Sequence, residues 1–270
     1  MEYQGNIVKM RSELADPIHY FFRIGNQEIN MNSLLGKKIR MRFDGQINCI
    51  SCGKRTKKSF GQGFCFSCFN TAPEAGESIV RPELSMAEFG IARDMEWARE
   101  NDLIDHFVYL AVSGDVKVGV TRNHQVPARW IDQGASYAIR VAKTPNRHIA
   151  GIIECFLKKY YTDKTNWRTM LMNNVNHRIN LSEEKKRAID FLPAELRQYA
   201  SADEEIVSLA YPVLEYPEKV VSVTFDKDPV AGGRLMGIKG QYLIFDGNRV
   251  INIRKHNGYY IHFSDDPEES

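Results

Sequence analysis

Four cysteines carry the plainest chemistry in this chain. Cys49-Ile50-Ser51-Cys52 is followed, after twelve residues, by Cys65-Phe66-Ser67-Cys68. Two such pairs let four thiolates converge tetrahedrally on one Zn²⁺, each pair forming a tight knuckle whose backbone N–H groups can donate to sulfur. Gly53 follows the first pair, where a knuckle often needs a left-handed residue. A closed set of four cysteines leaves no position for water, so a zinc held this way is structural. Two disulfides or a redox pair would use the same residues, but a reducing compartment and the adjacent knuckles favour zinc. The fifth cysteine, Cys155, sits in a helical pattern and reads as a small buried residue, not a nucleophile.

The loop between the pairs is basic, with Lys54, Arg55, Lys57 and Lys58, and runs into Phe60, Phe64, Phe66 and Phe69. Cations among aromatics can grip phosphates while stacking bases. In so small a ribbon most of the Phe residues are expected to form a miniature core instead. The net charge of +2 conceals segregation: residues 37–58 hold eight Lys or Arg against one acid, and residues 117–178 eleven against three. Such segments suit a basic face for a polyanion, and they equally suit charges spread over solvated surfaces.

A second set of residues comes from elements further on. Residues 107–112 and 116–122 are β-branched and aromatic runs around Ser113-Gly114-Asp115, a hairpin signal. Pro127-Ala128-Arg129-Trp130 starts a short helix with Pro in its first turn. The stretch 149–161 has apolar residues at 149, 152, 153, 156, 157 and 160, one face of an amphipathic helix from which Glu154 is expected to lie off.

This order of parts resembles the GIY-YIG nuclease superfamily, with Phe107-Val108-Tyr109 as the first motif, Lys117-Val118-Gly119 as the second, then Arg129 and Glu154. The resemblance implies a central α/β domain in which Glu154 binds Mg²⁺ or Mn²⁺, Arg129 offsets phosphate charge, and Tyr109 with Lys117 orients or activates water. Lys117 stands where the second motif usually has Tyr, and the two motifs are unusually close. More closely, residues 118–122, 129–135, Asn146-Arg147 with Ala150-Gly151, and 163–167 look like the uncharacterised domain-of-unknown-function family 2797, which brings no known activity. Each residue also has an ordinary place: Glu154 paired with Lys158 at i,i+4, Arg129 with Asp132 at i,i+3, and Tyr109 packed in a strand.

Around these parts, residues 1–48 read as a small β unit in which Ile39, Met41 and Phe43 alternate with Lys38, Arg40 and Arg42, giving one cationic strand face. Residues 49–69 are the ribbon, and 70–101 an acidic linker followed by a helix capped at Ser85. The central domain spans 102–180, and a helical segment interrupted at Pro193 spans 181–216. Residues 217–263 form short strands turning at Ala231-Gly232-Gly233, Gly240-Gln241, Asp246-Gly247 and Asn257-Gly258, and 264–270 a mobile tail. The two terminal β units are expected to join into one small barrel or meander, so the fold class is α+β.

A hydrophobic fraction of 43% with 26% charged residues is ordinary for a globular chain. No apolar run reaches membrane-spanning length, and the first residues lack a signal-peptide pattern, so a cytoplasmic protein without membrane contact is expected. The function expected is binding of DNA or RNA, with Lys54, Arg55, Lys57, Lys58 and Arg122 as contacts and metal-dependent phosphodiester cleavage at the central residues. The alternatives are nucleic-acid modification without cutting, a noncatalytic nucleic-acid-binding module, or an adaptor whose ribbon holds a protein partner.

Overall fold

Residues 1–265 are described by a computed structural model, and the chain divides into two units, Met1–Asn70 with the segment from Ala210 onward, and Thr71–Leu209. The first unit starts with β1 (Glu2–Glu13), β2 (His19–Ile24), β3 (Gln27–Asn30), β4 (Lys38–Asn48) and β5 (Arg55–Thr56). The two-residue period of β4 is realised, with Ile39 and Met41 buried and Lys38, Arg40 and Arg42 exposed. Helix α1 (Phe66–Thr71) begins inside the second cysteine pair and carries Cys68.

In the second unit, α2 (Met95–Asn101) precedes β6 (His106–Val112), β7 (Val116–Arg122), α3 (Ala128–Asp132) and β8 (Tyr137–Thr144). Helices α4 (Arg147–Leu157), α5 (Trp167–Leu171), α6 (Leu181–Asp190) and α7 (Ala194–Arg197) then lead to β9 (Ile206–Ser208). The four strands pair antiparallel in the order β7-β6-β8-β9. Ile153 and Leu157 of α4 and Leu181 and Ala188 of α6 share one core with Val108, Leu110, Val118, Ile139 and Val141 of the sheet.

The helix expected from Ser85 begins only after Asp94, whose carboxylate accepts from Trp97 N–H at 3.0 Å. Gly90, with φ +78°, ends a short 3-10 turn before it, and Ser85 is buried with its hydroxyl 3.1 Å from Asp102 Oδ2. The stretch read as a linker is a series of 3-10 turns strapped to α4: Arg147 Nε donates to Ser78 O at 2.7 Å, and its NH2 to Ile79 O at 2.9 Å.

The C-terminal segment returns to the first unit as β10 (Val221–Val223), β11 (Val230–Lys239), β12 (Tyr242–Phe245), β13 (Arg249–Asn252) and β14 (Tyr259–Ser264). β14 lies between β1 and β4, and β11 on the other side of β4, so both chain ends do build one sheet. Buried Gln241 ties it together, accepting from Met10 N–H at 2.7 Å and donating to Met10 O at 3.0 Å. The strand path runs from β10 to β3 without rejoining, so the sheet is open and no barrel closes. Ala231-Gly232-Gly233 is not a turn but lies near the start of β11, where Gly232 passes too near β4 for any side chain. Ser264 ends β14, and residues 266–270 of the expected mobile tail lie outside the described residues.

Candidate functional site

β4 delivers Cys49 directly to the first knuckle. Gly53 N–H donates to Cys49 O at 2.9 Å, with Gly53 at φ +71°, a left-handed turn that a Cβ would strain. Cys68 N–H points at Cys65 Sγ at 3.5 Å in the second knuckle. All four sulfurs lie within 4.8 Å of one another. Cys52 and Cys65 sulfurs are 3.9 Å apart, far beyond a disulfide bond of about 2.05 Å. Tetrahedral thiolates at about 2.3 Å from zinc would be roughly 3.8 Å apart. Burial opposes the Cys49 thiolate, but the backbone N–H groups of Cys52, Cys65 and Ser51 outweigh it and bring the thiol down to about 6. Hydrogen bonds to Cys52 and Cys65 push Cys68 up to about 12, the mutual suppression expected of crowded thiols that a cation would relieve. These four cysteines can hold a metal ion such as zinc.

The loop that the knuckles fix exposes Lys54, Arg55, Lys57 and Lys58. The expected miniature core is only partly formed. Phe64 is buried and Phe60 half-buried, but Phe66 and Phe69 are 64% and 38% exposed, with Phe60 the ring that both approach, at 5.5 and 6.1 Å. One short helix and a short loop offer too little apolar surface to cover all of these rings. Lys58 Nζ lies 5.4 Å above Phe60.

In the second unit, Tyr109 on β6 pairs with Gly119 on β7. A Cβ on Gly119 would stand 2.6 Å from the phenol oxygen, so only glycine lets the ring lie across β7. That oxygen donates to Gln133 Oε1 at 2.9 Å, just past α3. Burial holds the Tyr109 phenol protonated, while Arg129 pulls the other way. Lys117 is pushed down to about 7, first by burial and then by Arg129, against the pull of Glu154 and Asp163. Glu154 is raised by burial, a shift that Lys158 opposes and that Asp163 and Glu83 reinforce. Lys158 Nζ stands 3.1 Å from Glu154 Oε2 and 3.5 Å from Asp163 Oδ2, so the ordinary i,i+4 pair does form.

Tyr109, Lys117, Arg129 and Glu154 thus share one electrostatic neighbourhood. Tyr109, Lys117 and Glu154 are only 0%, 3% and 6% exposed, and Arg129 alone of the four is half-buried. Glu154 was expected off the buried face of its helix and is instead covered. The Pro82–Leu84 turn packs tightly on α4 at Gly151, where a Cβ would come within 2.1 Å of Glu83 N, and Glu83 is one of the groups that raise Glu154. Arg122 is committed elsewhere, donating from Nε to Asn101 O at 2.8 Å and lying 5.2 Å from the Trp97 ring.

The family described as Protein of unknown function (DUF2797) matches residues 36–261. The chain belongs to this family. No curated protein and no solved structure matches it. The DUF2797 match spans both cysteine pairs and all four central residues, and omits β1 to β3.

Among DUF2797-matched residues, three neighbours of Glu154 escaped a reading by motif: Glu83, Lys158 as a partner shared with a second acid, and Asp163. Asp163 arrives because residue 162 bridges Lys117 in parallel, with Val118 N–H donating to Thr162 O at 2.9 Å. Nothing in a local pattern signals that approach. Gln133 reaches Tyr109 from the end of α3, and only the length of that helix hints at the contact.

Proposed function

We propose that this DUF2797 protein is a zinc-ribbon nucleic-acid-binding protein whose cysteine cage presents a phosphate-gripping, base-stacking surface. The observation that carries this reading is the exposure of Phe66 and Phe69 on the same small ribbon as exposed Lys54, Arg55, Lys57 and Lys58. Exposed rings have an unfavourable hydration that stacked bases relieve, at about 1–3 kcal/mol per base. Cations beside them neutralise phosphates and release counterions. The test is fluorescence anisotropy with labelled single strands across a salt series. Replacing the four cations by Ala should flatten the salt dependence by up to about 2.8 in log–log slope, and Phe66→Ala should weaken binding at every salt concentration. A salt-insensitive partner, or none among nucleic acids, would replace this reading with a protein adaptor.

A second reading, phosphodiester cleavage, is favoured by the convergence of Tyr109, Lys117, Arg129 and Glu154, the set that resembles a GIY-YIG centre. Two carboxylates, Glu154 and Asp163, already share one cation in Lys158, a donor set suited to Mg²⁺ or Mn²⁺. Bound at Glu154, such an ion would supply Lewis-acid stabilisation of the leaving oxygen. Arg129, the half-buried member, would clamp the phosphate with its planar guanidinium. Lys117, neutral for part of the time near pH 7, would take the proton of an attacking water, with Tyr109 orienting it. Metal-dependent nicking that Glu154→Gln abolishes without loss of binding would establish this reading; intact substrate throughout leaves a binding protein.

A further inference from the structure

The first unit carries a second basic site, on the outer face of its sheet. Arg40 and Arg42 stand two positions apart on β4, both exposed, and neither guanidinium makes a hydrogen bond or ion pair among the described residues. Directly opposite, on β14, are Ser264 and His262, and beyond them on β1 Glu2 and Gln4. Cross-strand partners point to the same face, so these six side chains line one groove of about 500 Å³. On the other flank of Arg40, β11 offers Gly232, where a Cβ would lie 2.3 Å from Ile39 O. Beside Arg40 this leaves the groove without a side chain from β11, whereas Val230 stands opposite Arg42. The negative groups nearby are Glu2 and Asp44, the latter 3.7 Å from His262 Nε2. Neither is paired with an arginine among the described residues.

β4 does not stop at this groove. It continues to Asn48, which pairs with Arg55 of the basic loop, and then becomes Cys49. Six residues of strand separate Arg42 from Asn48, about 20 Å. The spacing of Arg40 and Arg42, about 7 Å along the strand, matches successive phosphates of an extended single strand better than it matches one compact anion. We propose that β4 is a rail for single-stranded nucleic acid, with consecutive phosphates on Arg40 and Arg42 at one end and the cysteine ribbon gripping the same strand at the other. This inference rests on the ribbon binding nucleic acid.

The test uses the full-length, zinc-loaded protein and labelled oligothymidylates from about 4 to about 16 nucleotides, the span of small single-strand sites. Affinity should rise with length in the wild type. In the double variant Arg40→Ala/Arg42→Ala that rise should vanish, and the salt slope should fall by about 1.4. Arg40→Lys/Arg42→Lys should keep the slope, which separates lost charge from a disturbed sheet. If the double Ala variant keeps both the length dependence and the slope while the ribbon variant loses affinity, the rail is wrong and the ribbon reading stands. If thymidine monophosphate displaces every length equally, the groove is a nucleotide pocket and the rail is overturned. If no oligonucleotide binds the wild type, both readings fall.

Discussion

The cysteine ribbon and the central cluster are built on opposite principles. The ribbon gathers its four thiols from two short local motifs and leaves its cations and two of its rings in water. The cluster gathers Tyr109, Lys117, Arg129 and Glu154 from two strands and two helices and buries three of them. Exposure is what the recognition role proposed for the ribbon requires. Burial gives the cluster shifted protonation states, the property of a chemical centre, but leaves Arg129 as its only half-open member. Perturbed pKa values in a cluster are a functional signal that structural networks also produce, so the two regions need tests of different kinds.

The largest effect expected is metal removal. Binding energies for structural zinc reach about 10–16 kcal/mol in small zinc-binding peptides, so chelation should unfold the ribbon and release about one zinc per chain by elemental analysis. All three tryptophans, Trp97, Trp130 and Trp167, lie in the second unit. Their emission should therefore stay unchanged while nucleic-acid binding is lost. A tryptophan shift on chelation would break the contrast, because the metal would then be holding the cluster as well.

Next comes Lys117. Its amine titrates near 7 in the fold against about 10.4 in an unfolded chain, so unfolding takes up a proton between those values. The lysine therefore weakens the fold fully below about pH 7, and progressively less as the pH rises toward 10. Lys117→Met should raise the melting temperature, with a gain on the order of a few kcal/mol at neutral pH and below that shrinks steadily as the pH rises from about 7 toward 10. A pH-independent difference between the two proteins would mean that Lys117 is charged and solvated, and the cluster would lose its base.

Much of this arrangement was legible because it is local. The cysteine spacing, the hairpin around Gly114, the Pro-led α3 and the strand alternation over residues 38–43 each depend on neighbours a few residues away. What was not legible depends on contacts across the chain. Ser85 has the composition of a helix cap, yet Asp102, seventeen residues on, takes its hydroxyl. Gly232 and Gly233 look like a turn, and only the closeness of β4 explains them as strand. Arg122 looks free until Asn101 and Trp97 are in place. Glu154 is the most instructive case: of the apolar positions expected to mark the buried face, only Ile153 and Leu157 are buried, Ile149, Ile152 and Phe156 are half-buried and Tyr160 is exposed, while Ala150, Gly151 and Glu154 are covered.

The Pro82–Leu84 turn gives the smallest of these effects and the sharpest comparison. Gly151→Ala places a methyl 2.1 Å from Glu83 N and 2.4 Å from Pro82 C, both backbone atoms that cannot rotate away. The intrinsic helix preference of Ala over Gly, about 1 kcal/mol, favours the substitution. Overpacking of about 1–3 kcal/mol opposes it, so the net change is a loss of about 0–2 kcal/mol, or a few degrees of melting temperature at this size. If the turn relieves the clash by lifting from α4, water should reach Glu154 and bring its carboxylate back toward the ordinary range. The measurement is the apparent pKa of Glu154 by ¹³C-detected NMR in both proteins. A lowered value in the variant would show that the Pro82–Leu84 turn is what closes the cluster; an unchanged value with an unchanged melting temperature would show that the helix shifts instead, and that the turn covers nothing of consequence.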